Sequence, residues 1–310
     1  MTLEEAISRA CADVGVEPPA GRVDPRRWVP CNIIGKGASG KGDGRLIIDD
    51  QRATAINWVT GDKATVWLQG RESLSEADRA RYAKETADAE RKARERAVVA
   101  AKIATAINEA SVPGRHAYLA GKGFPDEVVL LISRARLAAI LEANRKSVDS
   151  LVTPDGDVGI VVPARAGDIH SVQIIWEDGT KKFLAGGAMQ GANHRIAKGR
   201  DVWLFEGLAT GLSLRAALRG LKRADTLLMC FSASNIVKVA ASIPGRVFIA
   251  ADNDKPLEQF GGVGTGEFYA RKSGRPVVMP PTVGEDFNDF HQRAGLFEVQ
   301  RLLSQFIRGT

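Results

Sequence analysis

The chain has 310 residues, 44% of them hydrophobic and 26% charged, with a formal net charge of +6 and a pI of about 9.3. That length exceeds one small domain and suits two or three modules with real cores, and the modest basic excess fits a polyanionic partner. Cys11, Cys31 and Cys230 form no CxxC pair and no apolar run is long, which argues against a zinc ribbon, a disulfide framework and a membrane span.

The N-terminus is acidic and amphipathic, without the basic and apolar regions of a signal peptide. A reduced intracellular compartment is therefore expected. Residues 3–14 read as a helix with Leu3, Ile7 and Ala10 on one face, ended by Pro18, Pro19 and Gly21. Residues 22–70 read as a small antiparallel sheet. Its short β segments (RLIIDD, TAINWV, ATVWLQ) are separated by Gly42-Asp43-Gly44 and Thr60-Gly61-Asp62. Two of Trp28, Trp58 and Trp67 are expected in its core. Residues 73–110 hold no Gly or Pro and mix charges at helical spacing. They predict a long, largely exposed helix, capped by Ser73 or Ser75 and stopped by Pro113 and Gly114. Residues 126–146 read as further helix, and 155–187 as strand, hairpin and strand with Asp-Gly turns. From residue 201, apolar strands (VWLFE, TLLMCFS, RVFIAAD, PVVMP) alternate with helices. That alternation predicts an α/β domain with a parallel sheet covered on both faces.

Three acidic elements fall just past apolar strands: Glu206, then Asp252-Asn253-Asp254, then Glu285, Asp286 and Asp289. Ligands gather at the carboxyl ends of the strands in a parallel α/β sheet. Any one such acid is more simply a helix cap or turn former. Three in succession place repelling carboxylates together, and a divalent cation relieves that repulsion. Magnesium, with manganese as a substitute, suits oxygen ligands, and the absence of neighbouring His or Cys ligands argues against zinc. Two such ions would serve nucleotidyl transfer. A lone His291 nearby reads as a packed or capping side chain.

These residues carry a resemblance. Glu206-Gly207-Leu208-Ala209-Thr210, Asp252-Asn253-Asp254 and Asp286-Phe287-Asn288-Asp289 resemble the Toprim domain of DNA primases of the plasmid, conjugative-element and phage type. Val161-Val162-Pro163, Ser171-Val172-Gln173 and Asp178 to Leu184 resemble the basic subdomain that precedes it. Ser232-Ala233-Ser234-Asn235 and Gly261 to Gly266 also fit. His116 to Gly123 resembles the segment after the charged helix, and residues 22–70 the N-terminal module.

The resemblance implies four parts: a zinc-less, template-binding β module (1–70), a charged helical linker (71–112), a basic mixed α+β subdomain (113–200) and a Rossmann-like Toprim domain (201–310). It implies catalytic Glu206, Asp252 and Asp254, metal ligation by these with Asp286 and Asp289, and phosphate contact by Lys182. The implied activity is synthesis of short RNA primers on single-stranded DNA from nucleoside triphosphates, in a bacterial host cytoplasm, for a phage or mobile element. Two departures stand out. Thr210 occupies the place of an acid found in bacterial replicative primases, and no zinc ribbon selects the template. No Gly-x-x-x-x-Gly-Lys-Ser/Thr sequence follows either, so unwinding would need a separate helicase.

Single strands are held by basic grooves with aromatic stacking faces. Arg26, Arg27 and Trp28, with Lys36 and Lys41 in the following Gly-rich loop, are the DNA-binding candidates. Lys181, Lys182 and Arg195 are the candidates for a nucleotide channel. The rival readings are a Toprim metal-dependent nuclease and a non-catalytic single-strand-binding adaptor.

Overall fold

A computed structural model describes residues 1–34, 42–58, 62–69 and 74–310. The chain is mixed α/β with several sheets, one of them partly parallel. It divides into two compact units, residues 1–88 with 255–268, and residues 89–254 with 269–310.

In the first unit, α1 (Leu3–Val14) precedes a four-stranded antiparallel sheet of β1 (Val29–Cys31), β2 (Gly44–Ile48), β3 (Arg52–Asn57) and β4 (Lys63–Trp67). Thr2 and Glu5 form a capping box at the start of α1. Gly15, at φ 69, ends the helix three residues before the prolines that the sequence suggests as its stop. Ala6, Ala10, Cys11 and Val14 of α1 meet Leu46, Ile48, Ala53, Ala55 and Val66 of the sheet in one core. Small side chains on both surfaces let the helix lie close to the strands.

None of the three tryptophans enters this core, contrary to expectation. Trp28 and Trp58 are 44% and 63% exposed. Trp67 is half-buried, edge-on to Tyr82 with ring centroids 5.0 Å apart. Strand alternation explains the outcome. Val66 and Asn57 point to the α1 side, so their neighbours Trp67 and Trp58 point away.

The second helix, α2 (Glu76–Ala110), begins at Ser75, whose Oγ accepts from Asp78 N at 3.1 Å. The boundary between the units falls inside α2. Its first turns are largely solvated, but Ala100, Ile103, Ala104 and Ile107 are fully buried. The linker expected at 71–112 thus ends in core-forming helix.

The second unit continues with β5 (Val112–Gly114), α3 (Ala117–Gly121), β6 (Val129–Ser133), α4 (Arg134–Ala143), β7 (Val158–Ala166), β8 (Asp168–Ile175) and β9 (Lys181–Phe183). The five strands form an antiparallel sheet in chain order. Residues 129–133 are a strand and not the helix expected there. The run Val129–Ile132 is too short for its period to decide, and pairing with β5 and β7 takes it into the sheet. One face of this sheet, with Val161, Val172, Ile174 and Trp176, packs with α2 and α4. The other, with Ile160, Val162 and Ile175, joins the core of the sheet that follows.

That following sheet has the order β10-β12-β11-β13-β14. Its strands are β10 (His194–Ala197), β11 (Val202–Phe205), β12 (Thr226–Met229), β13 (Val247–Ala250) and β14 (Val277–Val278), with α5 (Leu208–Gly220), α6 (Ala233–Ser242), α7 (Thr265–Lys272), α8 (Phe287–Ala294) and α9 (Leu296–Gly309) between and after them. The β11, β12, β13 and β14 pairings are parallel, and β10 joins the edge antiparallel. Apolar side chains lie on both faces of the parallel strands: Trp203, Phe205 and Phe248 in one core, Leu204, Ile249 and Ile236 in the other. At the amino end of the strands Arg223 joins Asp201 at 2.6 Å and Asp225 at 2.9 Å, and Asp225 also accepts from Trp203 Nε1 at 3.0 Å.

Candidate active site

The carboxyl ends of β11 and β13 lie side by side, with Leu204 opposite Ile249. Glu206 stands one residue beyond the end of β11, and Asp252 two beyond the end of β13. Gly207 starts α5 immediately after Glu206. The turn after β13 is pinned by its central residue. Asn253 N–H donates to Glu285 O at 3.0 Å, Asn253 O accepts from Gly284 N at 2.5 Å, and Asn253 Nδ2 donates to Pro280 O at 2.8 Å. These bonds tie the Asp-Asn-Asp run to the segment leading into α8, so Asp252, Asp254 and Asp286 are carried by one braced corner.

Asp252 records the resulting field. Burial, then Glu206, Asp286 and Asp254, push its carboxyl well above the usual carboxylate range, while Lys181 pulls it down. The residue is half-buried, yet its Oδ1 is fully enclosed and has no hydrogen bond. Three of the other four acids singled out in the sequence, Glu206, Asp286 and Asp254, thus lie close enough for their charges to act on Asp252. The fifth, Asp289, closes a capping box with Asp286 and pairs with Lys122 at 3.6 Å. Asp286 is itself the cap of α8, its Oδ1 accepting from Asn288 N at 2.7 Å and Asp289 N at 2.8 Å. The simpler role for a strand-end acid thus holds for Asp289, and for one oxygen of Asp286. Glu285 is taken up by Arg293, with Nη2 to Oε2 at 2.8 Å. His291 packs beside Phe124 with its Nδ1 3.1 Å from Ser213 Oγ.

The lysine that reaches the acids is Lys181, not Lys182. Consecutive residues of β9 face opposite ways. Lys182 Nζ donates to Asp149 O and Val152 O, both at 2.8 Å, so its ammonium is committed to the fold and turned from the acids. Lys181 Nζ lies 3.9 Å from the point where a Cβ on Gly207 would stand. The phosphate contact expected of Lys182 is corrected on this geometry.

Two neighbours that the sequence reading did not single out complete the surroundings. Tyr118, on α3, is pushed up to about 12 by burial and by the charges of Asp286 and Asp289. Its ring packs against Gly179, where a Cβ would come within 3.4 Å. Tyr118, Lys122, Lys181, Asp178 and Gln292 line a cleft of about 460 Å³. Phe231, after β12, holds φ at 69, an uncommon conformation for a bulky residue. Its N–H donates to Glu206 O at 3.1 Å and its ring meets Phe183 of β9. The only sequence signal for these residues was that Tyr118 and Lys122 belong to the His116–Gly123 segment.

Arg195 lies on edge strand β10 and lines a second cleft, of about 370 Å³, with His194, Glu127, Arg215, Leu208 and Leu212. In the first unit, Arg26 (φ 61) lines a hollow of about 240 Å³ with Asp49, Arg52, Arg81, Tyr82 and Glu85. Arg27 and Trp28 are exposed. Lys36 and Lys41 lie outside the described residues.

The donor set at the acid corner is all oxygen, includes the unpartnered Asp252 Oδ1, and fits a hard divalent cation. Among the described residues no three His, Cys, Asp or Glu side chains form a ready-made ligand group. A cation here would therefore draw on one or two carboxylates with neutral oxygens, water or phosphate, which is the habit of magnesium.

No protein-family model matches the chain. Among solved structures it is similar to a chain in the complex of bacteriophage T7 lagging-strand DNA polymerase interacting with primase domains of two gp4 subunits bound to an RNA/DNA hybrid and dTTP. The identity is 18% and the TM-score 0.34, over 49% of this chain and 78% of that one. At that level neither fold nor function carries over. No helix among the described residues is long and apolar enough to cross a membrane.

Proposed function

We propose that the chain is a Toprim-type DNA primase that makes short RNA primers on single-stranded DNA. The observation that carries this reading is Asp252, enclosed at Oδ1 and surrounded by Glu206, Asp254 and Asp286, with Lys181 as counter-charge. The sequence resemblance at the same residues supplies the reaction class.

Glu206, Asp252, Asp254 and the second oxygen of Asp286 are the carboxylates from which one or two, with water and phosphate oxygens, would hold magnesium or manganese. A cation bound there would supply charge neutralisation for a triphosphate and acidify a 3′-hydroxyl. The chain's own groups do the rest. Lys181, near Gly207 and within reach of the Asp252 charge, would balance phosphate charge as a point charge. Tyr118, pushed up to about 12, stays a neutral phenol at physiological pH. It serves as a wall and hydrogen-bond donor and not as a base. Lys122, held by Asp289 at 3.6 Å, brings a second cation to the cleft. The braced turn at Asn253 keeps Asp252 and Asp254 fixed as the substrate enters. In this reading residues 113–200 and 201–310 form the catalytic core, residues 1–70 bind template, and a separate helicase opens the duplex.

The test is primer synthesis from labelled ribonucleotides on mixed single-stranded templates, with magnesium and with manganese. The wild-type chain should make short RNA. Glu206→Gln and Asp254→Asn should fold and make none. Normal synthesis by either variant, or none by the wild type with either metal, refutes the proposal. Metal-dependent nicking without added nucleotides would assign the site to a nuclease instead.

A further inference from the structure

Trp28, Trp58, Phe183 and Phe297 are exposed aromatic side chains, and Phe183 stands apart from the rest by its neighbours. It shares β9 with Lys181, and the two, as alternate residues, point to the same face of the sheet. From that face Lys181 reaches the charge of Asp252 and the start of α5. The Phe183 ring, 39% exposed, meets the Phe231 ring edge-on, with centroids 6.0 Å apart and planes at 72°. In an edge-on pair one ring keeps both of its faces clear of the other.

Phe231 is itself held at a cost. It leaves β12 at φ 69, where a bulky side chain is an outlier and glycine sits without strain. Two hydrogen bonds fix the turn: Cys230 N–H donates to Phe205 O at 2.7 Å, and Phe231 N–H to Glu206 O at 3.1 Å. Ring and acid thus belong to adjoining strand ends, since β11 and β12 are paired. Glycine would serve the passage from β12 into α6, yet the residue is phenylalanine and its ring is only half-buried. Backbone strain of this kind gathers at active sites and ligand clamps.

A cation and an exposed ring two residues apart on one strand are separated by about 6–7 Å, which suits the reach of one nucleotide from phosphate to base. Stacking on aromatic rings tolerates every base. We propose that Phe183 and Phe231 form a stacking platform for the base of a nucleoside triphosphate whose phosphates meet Lys181. The proposal rests on the nucleotide-using reading above and concerns binding alone, so it can be tested without primer synthesis.

The experiment titrates ATP and, separately, inorganic tripolyphosphate into the full chain with magnesium, by calorimetry. Phe183→Leu and Phe231→Leu, which keep apolar bulk and remove the rings, should each weaken ATP binding by roughly fivefold or more. Both should bind tripolyphosphate like the wild type, whereas Lys181→Met should weaken both ligands. Phe183→Tyr should keep the ATP affinity, and Phe183→Leu should melt with the wild type. The proposal is overturned if Phe183→Leu binds ATP like the wild type, if Phe183→Tyr falls with it, or if tripolyphosphate binding falls equally. Loss of binding to a thymidine oligonucleotide with ATP binding intact would assign the rings to the template and overturn it too. Ring-dependent ATP binding in a chain that makes no primer upholds the inference and removes the primase reading. Primer synthesis with ATP binding indifferent to both rings does the reverse.

Discussion

Asp252→Asn offers a direct reading of the field at the acid corner. The folded carboxyl titrates above its unfolded value of about 3.9. Between those two pKa values the native state keeps a proton that the unfolded chain has lost. Stability of the metal-free protein therefore falls as pH rises through that window. Above that window the carboxylate is ionised with an enclosed, unbonded oxygen. Such an atom costs about 1–3 kcal/mol, and each kcal/mol moves the melting temperature of a unit this size by about 2–4 °C. Asp252→Asn should thus raise the melting temperature in EDTA on the alkaline side of that window by roughly 2–12 °C. The gain should vanish near pH 4, where the wild-type side chain is neutral as well. Differential scanning calorimetry from pH 4 to 9 measures both. Added Mn²⁺ should reverse the order, because the wild type gains a ligand that the variant binds poorly. A variant less stable than the wild type at the alkaline end of that range without metal, or a gap that does not change with pH, refutes the reasoning.

The two adjacent lysines should separate cleanly. Lys182→Met loses two charged hydrogen bonds to carbonyls and should cost about 1–3 kcal/mol in urea denaturation, whereas Lys181→Met should raise the Asp252 pKa further and weaken nucleoside triphosphate binding by calorimetry. Arg223→Met removes the nearest cation from two buried carboxylates, Asp201 and Asp225, leaving Asp201 only Arg200 and Arg246 at 3.9 Å and Asp225 the Trp203 indole, and should cost about 3 kcal/mol; a melting temperature within error of the wild type would show that the network is dispensable. Trp28→Ala removes a ring that is 44% exposed and should change stability by no more than about 0.5 kcal/mol. If Trp28 stacks on template, its loss should weaken single-strand affinity by about 1–3 kcal/mol in fluorescence anisotropy.

The parallel strands were legible because VWLF, TLLM and VFIA are continuous apolar runs, each closed by a turn or an acid, and a strand buried on both faces needs no alternation. The same endings exposed Glu206 and Asp252. Strand β6 was not legible, since Val129–Ile132 is as apolar as a helix segment of that length and only its partners decide. Strand β10 was missed because His194-Arg195-Ile196-Ala197 has neither run nor alternation, and its edge position tolerates the mixture. The capping role of Asp286 and Asp289 was weighed from their position before a helix, but how a carboxylate divides its two oxygens is a matter of coordinates. The tryptophans misled because their size suggested burial, whereas alternation continued from β3 and along β4 places Trp58 and Trp67 opposite the α1 face.

Adjacent lysines on a three-residue strand make β9 a device sensitive to loop length. The hairpin turn through Asp178, Gly179 and Thr180 sets which ammonium meets the acids, with Gly179 at φ 85 and Ile174 opposite Lys182. Deleting one turn residue would invert the strand, aim Lys182 at Asp252 and drive Phe183 away from Phe231. A single-codon deletion in this loop should therefore be far more damaging than any point substitution within it.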